Sequence, residues 1–251
     1  MPTSLSLGLA LTSRRGGSSV PLSSQISALL GPADSFWLPG PQYFFSDASK
    51  LTPCVDLDPI QIWADASANA RDWQTSSFAE RPLARLIGGK WRARFDGTDD
   101  RVSGAGYPTA DSDSYLMLGL TKSSNGQGTF SMTANANDNN SYVPFVDGNL
   151  YVAFGSTVRR DALVPSPTWS VGAGKILEVR GSATEHTVWL GGTQLFTTPT
   201  NTNPTWTSTP VLGGAAGSFS NADIAFMVYA RQALNDTVRS SLTALLQPLL
   251  P

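Results

Sequence analysis

Tyr142-Val143-Pro144-Phe145-Val146, Asp147-Gly148-Asn149 and Leu150-Tyr151-Val152-Ala153-Phe154 follow one another without a break. Two short apolar, aromatic-rich runs flank three turn-forming residues, the pattern of a β-hairpin. The same grammar continues outward. Downstream, Lys175–Val179, His186–Leu190 and Gln194–Phe196 read as strands, with Gly191-Gly192 turning the chain between the last two. Upstream, Ala93-Arg94-Phe95 runs into an Asp96-Gly97 turn and Arg101-Val102. Tyr115–Leu120 is a short apolar run, and residues 129–132 follow a turn at Asn125-Gly126. Ile224–Tyr229 is apolar almost throughout, as a strand buried on both faces must be. Turn signals about 8–12 residues apart, without intervening helices, predict an antiparallel sandwich or barrel from about Arg92 onward. One helix, over 235–247, closes the chain: Asn235 is its candidate N-cap, and Val238, Leu242, Leu245, Leu246 and Leu249 recur at helical spacing.

The opening residues read differently. Met1–Val20 is rich in Ser, Gly and Leu without a stable period. Ile26, Leu29 and Leu30 share one face of a short helix capped at Ser23 or Ser24 and stopped by Gly31-Pro32. Phe36, Trp37, Leu38, Tyr43, Phe44 and Phe45 then crowd together, and so many aromatic rings demand burial, in this chain's own core or against a partner. The expected division is an arm over 1–42, whose Leu5, Leu7, Leu9, Leu11, Ile26, Leu29 and Leu30 serve assembly, and a sandwich domain over 43–251.

Composition narrows the function. Only 14% of the 251 residues are charged, against roughly 25% in ordinary soluble domains. Net charge is −2, so no global positive field draws in nucleic acid or anionic lipid. A lone cysteine, Cys54, forbids an internal disulfide, and with the single His186 it excludes the usual zinc sets. No apolar stretch reaches the ~18 residues that span a bilayer. Met1–Leu11 lacks a basic leader, so secretion is not expected.

Candidate sites are sparse. Glycosidic chemistry needs two carboxylates across a cleft. The three glutamates, Glu80, Glu178 and Glu185, have no acidic neighbour two or four residues away. His186 alternates with Val188 and Leu190 and reads as a packed strand residue, and no Gly-X-Ser-X-Gly turn supplies a nucleophile. Asp96, Asp99 and Asp100 form an acidic turn of the kind that supplies calcium with oxygen ligands, or that bonds its own backbone. Asn137, Asp138, Asn139 and Asn140 form a second, weaker set. Trp169, Trp189, Trp206 and Tyr107 are candidate platforms for sugar rings, three in loops and Trp189 on the strand face opposite His186.

Ser46–Leu51, Trp63-Ala64-Asp65-Ala66-Ser67-Ala68-Asn69-Ala70-Arg71, Glu80-Arg81-Pro82, Phe95-Asp96-Gly97-Thr98-Asp99-Asp100 and Asp223–Tyr229 follow one another along the chain. Taken in that order, they resemble the laminin-G-like and concanavalin A-like domains carried on bacteriophage particles. Ala68 and Ala70 stand where the family pattern has glycines. The resemblance implies a two-sheet antiparallel jelly roll. It also implies a structural, non-enzymatic virion protein: a tail, fibre-associated or capsid-decoration component, localised to the virion. Its partners would be other virion proteins, further copies of itself and host surface glycans, with no cofactor beyond the candidate calcium. The alternatives are a free carbohydrate-binding, lectin-like module and a glycoside hydrolase of concanavalin-like fold.

Overall fold

The computed structural model describes residues 20–105, 113–123, 129–133, 140–204, 206–215 and 218–251. The body is a mostly β sandwich of two antiparallel sheets, with helices packed on the outside of one of them.

The first sheet is centred on Asn221–Ala230 and Ser114–Lys122, which pair along most of their length. Gly174–Ser182, Glu185–Leu190 and Thr193–Thr198 extend it on one side by successive hairpins. On the other side Asn221–Ala230 is shared: its first half pairs with Lys90–Asp96, its second with Ser35–Trp37. Leu83–Ile87 adds to Lys90–Asp96 and forms the margin, where Leu57, Asp58 and Pro59 bond or bridge to it. The edge is thereby closed to further strands.

Both central strands are buried on both sides, and period two explains how. Leu116, Leu118, Leu120, Ile224, Met227 and Tyr229 point between the sheets; Tyr115, Met117, Phe226, Val228 and Ala230 point under the helices. A bulge between Ile224 and Phe226 resets the alternation and lays the Phe226 ring against Gly119. A Cβ on Gly119 would lie 2.2 Å from that ring, so only glycine fits there.

The second sheet runs Arg160–Leu163, Leu150–Val152, Asn140–Tyr142, Thr129–Thr133, Trp206–Leu212, Val102–Gly104, Trp73–Gln74, Ile62–Trp63, Phe44–Phe45. The hairpin expected at Asp147-Gly148-Asn149 forms with Tyr142 opposite Tyr151, and Gly148 takes a φ of +84° at its tip. Strands begin well before Arg92, because the aromatic-rich segment belongs to this molecule's own interior: Trp37, Phe44, Trp63 and Trp73 all lie between the sheets.

The terminal helix α2 spans Asp236–Leu246, continues as a 3-10 turn over Gln247–Leu249, and is capped by the Asn235 side chain accepting the Val238 N–H at 3.0 Å. The expected short N-terminal helix α1 forms over Leu22–Ser27. It does not project as an arm. Ile26 is fully buried in the helix-side core with Leu242 and Leu246, and Leu29 and Leu30 pack against that core. Segment 34–37 is tied further by Asp34, which accepts the N–H groups of Gly31 and Arg231. Packing is therefore continuous across the expected boundary at residue 42. Leu5, Leu7, Leu9 and Leu11 lie outside the described residues. Among the described residues, no helix is long and apolar enough to cross a membrane.

Candidate functional site

The short strands Ile62–Trp63, Trp73–Gln74 and Val102–Gly104 leave a polar groove beside them, enclosing about 650 Å³. Gln61, Gln74, Thr75, Glu80, Arg101 and Ser103 line it. Gln74 and Ser103 stand opposite each other in the ladder, on the face away from Trp73. The loop carrying Glu80 is set by the Arg101 N–H donating to the Glu80 carbonyl at 2.9 Å, and the Arg101 guanidinium donates to Glu80 Oε1 at 2.7 Å. Arg81 donates to Gln61 Oε1 at 2.8 Å and lies over the ring of Phe78, 5.3 Å from its centroid. Phe78 is 71% exposed, an apolar ring beside hydrogen-bonding groups of both signs.

A second feature belongs to the same sheet. Tyr142, Phe145 and Tyr151 form a half-exposed aromatic cluster with centroids 5.1 to 6.3 Å apart. The Arg159 guanidinium lies 5.8 and 5.5 Å from the two tyrosine rings. Asp147 accepts from the Tyr151 hydroxyl at 2.8 Å and from the Asn149 amide at 3.1 Å. Leu150 and Val152 point inward, so Tyr151 and its ladder partner Tyr142 point outward. Ladder register, followed from Gln74 through Ser103, Val211 and Ser131 to Asn140, two residues from Tyr142, places groove and cluster on one face. Four strand spacings separate Gln74 from Tyr142, about 19 Å along the sheet. Such a face offers rings for the apolar sides of a sugar and amides, carboxylates and guanidinium groups for its hydroxyls.

Two of the aromatic residues singled out from the sequence, Trp169 and Trp189, are placed elsewhere. Trp169 is 1% exposed; its indole N–H donates to the Ala173 carbonyl at 2.8 Å, and it belongs to the inter-sheet core. Trp189 does lie opposite His186, but α2 covers that face. Arg239 and Arg180 stack on its ring at 4.6 and 5.1 Å, leaving it buried. Arg239 also bonds Glu178, which accepts the Tyr115 hydroxyl at 2.8 Å, and burial foremost, then the Glu178 charge, holds that hydroxyl's pKa well above its usual value. These two tryptophans are therefore core side chains, not platforms. The Trp206 side chain, Tyr107 and 137–139 lie outside the described residues. Of the glutamates, Glu178 is sealed under α2 and Glu185 is held by Arg180; Glu80 alone lines the groove. The groove was missed because its residues lie far apart in sequence. The usable signals were exposed Phe78 amid polar neighbours and the alternation of Trp73 with Gln74 and of Val102 with Ser103.

Asp96, Asp99 and Asp100 do converge, with ligand oxygens within 4.8 Å of one another. Two of them already serve the turn: Asp100 Oδ2 accepts the Asp96 N–H and Asp96 Oδ1 the Thr98 N–H, each at 2.7 Å. Burial, reinforced by the neighbouring Asp96 and Asp99 charges, pushes Asp100 up to about 7. His186 is a packed strand residue. Its Nε2 pairs with the Phe154 carbonyl at 3.0 Å, and burial, aided by the Arg160 charge, pushes its pKa down to about 4. Cys54 is buried, and its thiol is pushed up to about 12, chiefly by burial.

No family model and no curated protein matches this sequence. Among solved structures, the fold is similar to Trypanosoma rangeli sialidase. Its complex with 2,3-difluorosialic acid gives a TM-score of 0.57 at 13% identity, over 96% of this chain and 36% of that one. Its complex with sialic acid gives 0.56 at 12%, over 85% and 33%. A mutant GH54 α-L-arabinofuranosidase soaked with 4-nitrophenyl α-L-arabinofuranoside gives 0.55 at 12%, over 76% and 51%. The chain thus spans about a third of the sialidase and half of the arabinofuranosidase. At these identities the likeness is one of fold.

These similar structures are of glycoside hydrolases, and they overturn the expectation of a virion structural protein with no place in enzyme chemistry. The motifs behind that expectation are fold signals. Phe95–Asp100 ends a strand in an Asp-braced turn, and Asp223–Tyr229 is a central strand, which a sandwich requires whatever it does.

Proposed function

We propose that this chain is a carbohydrate-active sandwich domain that holds a saccharide on the outer face of its second sheet. The observation that carries this reading is the pairing, on one face, of a polar groove beside exposed Phe78 with the Tyr142–Phe145–Tyr151 cluster. The crossing of the chain between sheets, as from Val102–Gly104 to Ser114–Lys122 and from Arg160–Leu163 to Gly174–Ser182, further supports a jelly-roll winding. Binding to a panel of oligosaccharides, followed calorimetrically, tests the reading. Tyr142→Ala and Gln74→Ala should each weaken binding about tenfold, the loss of one stacking or hydrogen-bonding contact. Wild-type protein that binds no member of the panel would refute it.

Cleavage is the second reading, favoured by Glu80 in the groove wall and by the glycosidases that share the fold. Glu80 would supply one of the two carboxyl groups that such chemistry needs, passing a proton to or from a bound glycoside. Release of 4-nitrophenol from 4-nitrophenyl α-L-arabinofuranoside, or of sialic acid from a sialoside, lost in Glu80→Gln, would support it. Turnover unchanged in that variant would remove Glu80 from the chemistry.

A further inference from the structure

Where the two sheets part, at the edge formed by Arg160–Leu163, a second and smaller cleft of about 270 Å³ opens far from the groove. Ser156, Thr157, Arg160, Thr200, Asn201 and Thr202 line it. Arg160 has an unusual set of partners. Its Nε donates to His186 Nδ1 at 3.2 Å, and its guanidinium lies 4.8 Å from the centroid of Phe196. Among the described residues it makes no ion pair, whereas the adjacent Arg159 bonds Asp161 at 2.5 Å. His186, buried and bonded to the Phe154 carbonyl, accepts from Arg160 and brings no negative charge. The guanidinium is thus fixed in direction by a neutral acceptor and a ring, while its charge is left uncompensated. Its planar fork is suited to a carboxylate.

Asn201 supplies an independent pointer. Its amide nitrogen is committed to the Gly155 and Ser182 carbonyls, at 2.7 and 3.0 Å. Its Oδ1 is buried without a hydrogen-bond partner. A buried acceptor left in this state calls for a donor. The Arg160 charge asks for an anion, and the Asn201 carbonyl asks for a hydroxyl. We propose that this cleft binds a hydroxylated carboxylic acid of the uronic acid class, with Arg160 on the carboxylate and Asn201 Oδ1 on a neighbouring hydroxyl.

The contact is independent of the groove, and the molecule carries its own reporter, since His186 is the sole histidine. Titrating the full chain with glucuronate should shift the His186 ring proton resonances saturably. Glucose should leave them in place. Acetate, which has the carboxylate without hydroxyls, should bind about tenfold more weakly. Arg160→Gln should abolish the shift. Arg160→Lys, which keeps the charge and loses the fork, should weaken binding about tenfold while remaining folded by its melting curve. Glu80→Gln and Gln74→Ala should leave the titration unchanged, so failure of the groove reading would be seen separately. Absence of a saturable shift with glucuronate, an equal shift in Arg160→Gln, or acetate binding as tightly as glucuronate would each overturn the proposal.

Discussion

Acidification should weaken the fold through His186 by an amount that one substitution isolates. The imidazole is wholly buried, and its pKa is pushed down to about 4, against about 6.5 when unfolded. Above pH 6.5 it is neutral in both states and exacts nothing. As pH falls from 6.5 to 4, the unfolded chain takes up a proton that the folded chain refuses, and stability declines. About 2.5 units of separation at ~1.4 kcal/mol each gives a loss of ~3 kcal/mol, complete below pH 4. Other groups titrate in the same range, so the measured quantity is a difference: urea-unfolding free energy of wild type minus that of His186→Gln. Gln preserves a donor toward the Phe154 carbonyl and does not titrate. That difference should be flat from pH 8 to 7 and should fall by ~3 kcal/mol between pH 6.5 and 4. A difference constant across the whole range would show that the histidine is solvated or charged in the folded state, and would refute the reasoning.

Asp100 has the opposite sign. Its pKa is raised to about 7, so the folded chain keeps a proton that the unfolded chain releases near 4, and stability falls as pH rises from ~4 to ~7. Asp100→Asn, which can still accept the Asp96 N–H, should therefore stabilise the protein at pH 7.5 by about 2 kcal/mol, after discounting for water around exposed Asp96. The gain should vanish at pH 4, and a gain that persists there in urea titrations would contradict the account. Ala70 holds a φ of +53° in the 66–72 turn, a conformation that strains any side chain. Ala70→Gly should raise stability by about 1 kcal/mol in thermal unfolding, and a lowered melting temperature would show that the Ala70 methyl is needed for packing.

Much of the fold was legible in one dimension. Alternation, Gly148 and Gly191-Gly192 mark hairpins because side chains change face at every residue and few residues turn the backbone so sharply. Ile224–Tyr229 announces a strand covered on both sides, and Asn235 caps a helix by purely local geometry. Ala70 is a subtler case: the resemblance marks it as a glycine position, and the backbone there does keep the glycine-like φ. The site was far less legible. Period two correctly set Trp189 opposite His186, but it says nothing about what lies over that face; the arginines of α2 and of the neighbouring strand do. The aromatic segment near residue 40 likewise demanded burial without naming its partner, and only pairing of Ser35–Trp37 with Tyr229, Val228 and Met227 placed it in its own core. Gln74 meets Ser103, and Arg160 meets His186, across long stretches of sequence, through ladder register and sheet stacking. Local backbone and side-chain chemistry settles which residues turn, pair and cap. Which faces stay wet, and which charges stay uncompensated, depends on the layers that come to rest on them, and three-dimensional packing alone determines that.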